Sequence, residues 1–147
     1  MSRLVTCVAD GVVLYRNSQN GHPRDAAKIL IGSSYVVIDP DFYVGTTKYM
    51  EGAKVGDRFV PGIGIQSDAS ELVAAVRYDG RGYYLNAHQS AFPFFVVRNA
   101  RPLTLLPNLP LKSGDVFVVA AKKGARLEML VEIPQISFLK RLFGQGV

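Results

Sequence analysis

The stretch that most constrains this chain runs from Gly62 to Leu85, GIGIQSDASELVAAVRYDGRGYYL. Ile63 and Ile65 alternate with glycines, as a half-buried strand requires, and Gln66 to Ser70 then forms a corner with no obligatory core side chain. Leu72 to Tyr78 is apolar and β-branched enough for a second strand. Asp79-Gly80-Arg81-Gly82 has the chemistry of a tight hairpin turn, and Tyr83-Tyr84-Leu85 begins the return strand. A helix competes for the middle of the stretch, because Asp68 with Glu71 three residues on resembles a capping box and Leu72, Val73 and Val76 could share one helical face. The strand is the preferred reading.

The rest of the chain repeats this grammar of short apolar runs and turn residues. Arg3 to Ala9 and Val12 to Arg16 flank Asp10-Gly11, a pair suited to a two-residue hairpin, and Asn17 to Asp25 (NSQNGHPRD) reads as a surface loop. Lys28 to Ile31 and Tyr35 to Ile38 lie on either side of Gly32-Ser33-Ser34, and Asp39-Pro40-Asp41 turns into Phe42-Tyr43-Val44. Gly45 to Gly56, with two threonines, two lysines and three glycines, reads as an irregular mobile insertion. Asn86 to Pro93 reads as a loop and Phe94 to Val97 as a strand. The prolines at 102, 107 and 110 favour an extended edge. Val116 to Ala121 and Arg126 to Ile133 form a hairpin around Lys122-Lys123-Gly124. Ile136, Leu139, Leu142 and Phe143 then recur near helical spacing, which predicts a short amphipathic C-terminal helix packed on the sandwich or on a partner.

About ten short strands with frequent turns predict an all-β sandwich or barrel. At 147 residues the simplest organisation is a single domain over 1–147: an N-terminal hairpin and loop (1–27), the sandwich (28–133) and the amphipathic tail (134–147). Ile63, Ile65, Val76, Leu85, Val96, Phe117 and Leu127 are expected in one core. Lys54-Val55-Gly56-Asp57-Arg58-Phe59-Val60 echoes Lys112-Ser113-Gly114-Asp115-Val116-Phe117-Val118, and two independent uses of one turn device explain the echo without a duplication.

Composition narrows the functional classes. No apolar run approaches the roughly 20 residues needed to span a bilayer, and Met1-Ser2-Arg3-Leu4 opens a start too polar for a secretory signal, so a cytoplasmic location is expected. A single cysteine, Cys7, excludes an intrachain disulfide and a cysteine-based zinc cluster. His22, His88 and twelve carboxylates show no spacing that pairs a nucleophile with a base or defines a metal site, so no enzyme activity, metal or cofactor is expected. The net charge of +5 is dispersed, Lys122-Lys123 with Arg126 and Lys140-Arg141 being the densest groups.

From about Lys28 to Ile133 the chain resembles a forkhead-associated domain, a β-sandwich module that usually recognises phosphothreonine. Tyr43-Val44-Gly45 resembles the family's Gly-Arg element, Ala69 to Val76 its Ser-Arg-x-x-His corner, Tyr84-Leu85 through Ser90 its Ser-x-Asn-Gly element, and Leu111-Lys112-Ser113-Gly114-Asp115 its Leu-x-x-Gly-Asp turn. The departures bear on the ligand. Thr46 stands where the family has its first arginine, Glu71 replaces the second, Val73 replaces the histidine, and Phe92-Pro93 replaces Asn-Gly. A phosphate dianion needs several aligned charged donors, and Ser70 and Ser90 cannot supply them beside the Glu71 carboxylate.

The resemblance therefore implies the fold and a non-catalytic, phospho-independent protein-interaction module, an adaptor or scaffold in a bacterial secretion or signalling assembly. Its partner surface would lie on the corner loops, at Ser70, Glu71, Arg81, His88, Ser90 and Phe92. Two alternatives stand beside it. Arg58, Lys48 or Arg77 could rebuild a phosphate pocket for phosphothreonine peptides. A basic β-barrel could instead bind single-stranded nucleic acid, with Tyr78, Tyr83, Tyr84, Phe92, Phe94 and Phe95 as stacking rings beside Arg77, Arg81 and Arg98.

Overall fold

The computed structural model of the protein describes residues 3–8, 11–17, 26–38, 40–120 and 126–134. An N-terminal hairpin, β1 (Arg3–Val8) and β2 (Val12–Asn17), is followed by a second, β3 (Lys28–Ile31) and β4 (Ser34–Val37). Next come β5 (Asp41–Thr46), the short helix α1 (Thr47–Glu51), the small hairpin β6 (Lys54–Val55) and β7 (Arg58–Phe59), and β8 (Gly62–Ile65). β9 (Leu72–Tyr78), β10 (Tyr83–Ala87) and β11 (Phe94–Arg98) precede two-residue strands β12 (Arg101–Pro102) and β13 (Leu109–Pro110), then β14 (Val116–Ala120) and β15 (Arg126–Glu132).

These strands form two main sheets, A in the order β1-β2-β8-β5-β9-β10-β13 and B in the order β12-β11-β14-β15-β3-β4. Alternation sends one face of each sheet inward, and the two faces make a sandwich core. Leu14, Phe42, Val44, Ile63, Val76 and Leu85 come from sheet A, and Ile29, Val36, Val96, Phe117, Met129 and Val131 from sheet B. Leu72 to Tyr78 is a strand: it pairs with β5 on one side and β10 on the other, so the competing helix is not formed. Of the expected core, Ile63, Ile65, Val76, Leu85, Val96 and Phe117 are buried, whereas Leu127, near the start of β15, is only partly buried at the core's margin.

The proline-bearing edges are extended as expected, since Pro102 and Pro110 both lie in two-residue strands at the rim of a sheet. The N-terminal hairpin extends sheet A by pairing β2 with β8. The turn residue Asp10, the lysines of the 121–125 turn, the loop 18–25 and the expected helix beyond Pro134 lie outside the described residues.

The region Gly45 to Gly56 differs from its expectation. Thr46 caps α1 by accepting the Tyr49 N–H at 3.2 Å, and the helix buries Met50 completely. The connection from β5 to β8 thereby forms a packed second layer on the outer face of sheet A, and it lets β5 and β8 pair in parallel. The same layer explains why all four residues of β8 are buried where alternation predicted a half-exposed strand. Ile63 and Ile65 face the main core, while Gly62 and Gly64 face the layer. A Cβ on Gly62 would run into the Tyr43 carbonyl oxygen, and one on Gly64 would come within 2.6 Å of the Tyr15 ring.

Arg3 fastens this layer to the edge of the sheet. Its guanidinium donates to the carbonyls of Met50 at 2.7 Å and Val60 at 2.6 Å and sits over the rings of Tyr15 and Phe59. Burial lowers its pKa from the ordinary arginine value, yet the group stays charged.

Candidate functional site

Strand direction divides the corner loops between the two ends of the sandwich. β9 and β10 are antiparallel with Ala74 opposite Ala87 and Tyr78 opposite Tyr83. Ser70 and Glu71, just before β9, and His88, just after β10, therefore share one end. The His88 N–H donates to the Val73 carbonyl at 2.8 Å and fixes the start of its loop there. The turn at Arg81 closes the opposite end of the same two strands. The structure thus brings Ser70, Glu71 and His88 together and places Arg81 away from them.

Thr46, at the end of β5, joins the first group. Its side-chain oxygen accepts the Glu71 N–H at 3.0 Å as well as the Tyr49 N–H, and its own N–H donates to the Glu71 carbonyl at 2.9 Å. The residue is completely buried. Both lone pairs of the hydroxyl are thereby committed to backbone amides, so Thr46 is a joint between two loops rather than a surface contact. Nothing in the local sequence announces this role, because its partner lies 25 residues away.

The loop that carries Glu71 is braced from within by the Ser67 hydroxyl, which accepts the Ala69 N–H at 3.1 Å, and from the side by a 2.8 Å bond between the Gln66 N–H and the Gly11 carbonyl. Ser70 and His88 are exposed, and Glu71 is half-buried without an ion pair among the described residues. In the β10–β11 loop the Ser90 hydroxyl accepts the Phe92 N–H at 3.1 Å, and Phe92 is partly buried against the main core. Phe92 anchors the loop as much as it decorates it.

The three basic residues that could rebuild a phosphate pocket do not converge. Lys48 is exposed on α1, close in sequence to Thr46, whereas Arg58 lies on the separate β6–β7 hairpin. Arg77 lies at the Arg81 end of β9, within 3.7 Å of the Asp41 carboxylate. Of the candidate stacking rings, the tyrosines gather near the β9–β10 turn, whereas the phenylalanines are spread over core, loop and outer face. Tyr78 and Tyr83 stack on each other with centroids 4.7 Å apart, Phe94 packs edge-on against Phe117 in the core, and Phe95 is exposed on the outer face of sheet B.

A groove of about 470 Å³ on the outer side of sheet A is lined by Arg77, Tyr78, Asp79, Tyr84, Asn86 and Asn108. Its polar groups are occupied locally: Asn86 and Asn108 bond each other through side chain and backbone, and Asp79 accepts the N–H groups of Arg81 and Gly82. Among the described residues, no three His, Cys, Asp or Glu side chains come together to hold a metal ion, and no helix is long and apolar enough to cross a membrane. No protein-family model matches the chain, and no curated protein matches it.

Proposed function

We propose that the chain is a non-catalytic interaction module of the forkhead-associated type that docks a protein partner on the Ser70, Glu71 and His88 end of the sandwich, without requiring phosphate, as an adaptor within a larger assembly. The observation that carries this reading is the buried Thr46 joint. Where the resemblance implies a charged donor aimed at a ligand, this chain has a hydroxyl turned inward to tie two loops together. The loop beside it presents Asp68 and Glu71 and no cation.

Rigid loops with exposed polar side chains suit a shape-specific protein contact, whereas a phosphate dianion would meet a carboxylate in place of an arginine fork. Each missing charge-assisted bond removes roughly 1.5–3 kcal/mol, so the loss of two arginines and an asparagine takes a micromolar site, worth about 8 kcal/mol, to the millimolar range or beyond. The separation of Phe94 in the core and Phe95 on the outer face of sheet B from the Tyr78–Tyr83 pair weighs against one extended stacking platform for single strands.

Calorimetric titration of phosphothreonine peptides against their unphosphorylated counterparts tests the proposal. The expected result is no phosphate-dependent binding tighter than about 1 mM. A phosphate-dependent Kd of roughly a few micromolar would overturn it.

A further inference from the structure

Each of the two main sheets ends in two edge strands, and an unpaired edge invites another strand unless the chain blunts it. Three of these edges are blunted. β13 and β12, at one end of sheets A and B respectively, are two residues long and each contains a proline, Pro110 and Pro102. β4, at the other end of sheet B, is met by Arg16 of sheet A, whose guanidinium lies over the Tyr35 ring and donates to the Tyr35 carbonyl at 3.4 Å. β1 has no such device. It runs for six residues in unbroken register with β2, without a proline or a bulge, and among the described residues no strand pairs with its outer side. Its one charged side chain, Arg3, is turned onto the Met50 and Val60 carbonyls.

The rest of β1, Leu4-Val5-Thr6-Cys7-Val8, carries no charge on either face. Register puts Thr6 and Val8 opposite the core residues Leu14 and Val12, and Val5 and Cys7 opposite Tyr15 and Val13 on the side of α1. Leu4 is 45% exposed and Val5 57%. An uncharged apolar edge favours a partner edge of the same kind, and among the described strands only β1 offers one of matching length. Its geometry permits pairing with itself. A two-fold axis normal to the sheet returns each residue to its own face, so residues opposite each other across a new antiparallel seam must share a face. With Val5 on the axis this condition holds: Val5 meets Val5 of the second copy, Leu4 meets its Thr6, Arg3 meets its Cys7, and no like charges are opposed. We propose that the chain forms a two-fold dimer by antiparallel pairing of β1 with β1 of a second copy, centred on Val5, which joins the two seven-stranded sheets into one.

Sedimentation equilibrium on the full chain tests the pairing. The native chain should be a concentration-dependent dimer, and Val5→Lys, which sets two like charges on the axis, should weaken it at least about tenfold with an unchanged far-UV spectrum. Mixing Val5→Lys with Val5→Glu should restore a dimer, because opposite charges then meet. Leu106→Lys, at a 63% exposed leucine between β12 and β13, controls for added charge and should leave the association unchanged. A native chain that stays monomeric, a dimer indifferent to Val5→Lys, an equal loss with Leu106→Lys, or no rescue by Val5→Glu would each overturn the proposal. Cross-linking gives a second readout that does not depend on the folding of Val5→Lys. In a Cys7→Ser background, Val5→Cys should oxidise to a covalent dimer at least about tenfold faster than Leu106→Cys, because disulfide geometry requires the two sulfurs to be held close, and equal rates would overturn the proposal as well.

Discussion

Lys54-Val55-Gly56-Asp57-Arg58-Phe59-Val60 and Lys112-Ser113-Gly114-Asp115-Val116-Phe117-Val118 share five residue types in register and have opposite fates. Both glycines adopt the left-handed backbone that the turn demands, with φ of 63° at Gly56 and 97° at Gly114. Beyond the turn they part. Asp57 is exposed, and Phe59 is half-buried beneath Arg3 and Lys54 in a hairpin of two strands. Asp115 is 1% exposed, grips Arg98 through two 2.8 Å bonds, and accepts the Lys112 N–H at 2.9 Å. Phe117 is completely buried. What separates the two is the neighbour: β14 lies between β11 and β15, and β11 brings an arginine to the turn. Turn chemistry is local, but the depth at which a turn is buried is set by the strands beside it.

The largest expected effect lies in the two phenylalanines. Phe117→Ala should cost about 3–5 kcal/mol in urea unfolding, and Phe59→Ala about 1 kcal/mol. Equal costs would mean that the second layer is as integral to stability as the main core. The two aspartates come next. Arg98→Ala leaves the Asp115 carboxylate buried without its cation and should cost about 3 kcal/mol, whereas Asp57→Ala should stay within about 0.5 kcal/mol. A loss at Arg98 under about 1 kcal/mol would show that water reaches Asp115 readily and would erase the contrast. Arg98 also donates to the Pro110 carbonyl at 2.9 Å, and its hydrogen bond to Asp115 raises its pKa above the ordinary arginine value.

A third turn sharpens the comparison with the smallest effect. Asp79 accepts the Gly82 N–H at 2.9 Å and the Arg81 N–H at 2.8 Å, and these backbone bonds hold its pKa below the usual aspartate value. A carboxylate with a depressed folded pKa stabilises the fold above its unfolded pKa and loses that contribution as the pH falls through the folded value. The stability difference between the native chain and Asp79→Ala should therefore be present near neutral pH and shrink in acid. Paired unfolding curves across the acid range check this, and a difference that persists unchanged at the lowest pH would place the role of Asp79 in the uncharged turn alone.

Periodicity made the strands from Gly62 to Leu85 and the closing hairpin legible, because alternating apolar residues and Gly-containing turns are local signals. The layer from Thr46 to Phe59 was not legible. Its glycines and lysines look like a loop, and the layer packs because Gly62 in β8 leaves room for Met50 and Gly64 for Tyr15. The Arg98 and Asp115 pair escaped for a related reason, since the residues are 17 apart and meet only through strand pairing. At the candidate site, sequence order grouped Arg81 with Ser70 and Glu71, yet a seven-residue strand carries the chain from one end of the sandwich to the other between them. Phe92 reads as a contact in the sequence, and its packing against the core shows how a corner residue can serve as an anchor.

Sheet B is closed by β15 pairing with β3, Lys28 facing Glu132 across the seam. On a ribosome adding roughly 5–20 residues per second, β3 emerges on the order of 5–20 s before its partner exists. During that interval the β3–β4 hairpin holds Ile29 and Ile31 on a strand with one edge unsatisfied. The nascent chain therefore remains an unfinished sandwich until its last described strand is translated, and a chaperone acting on this protein would find its substrate at that waiting edge.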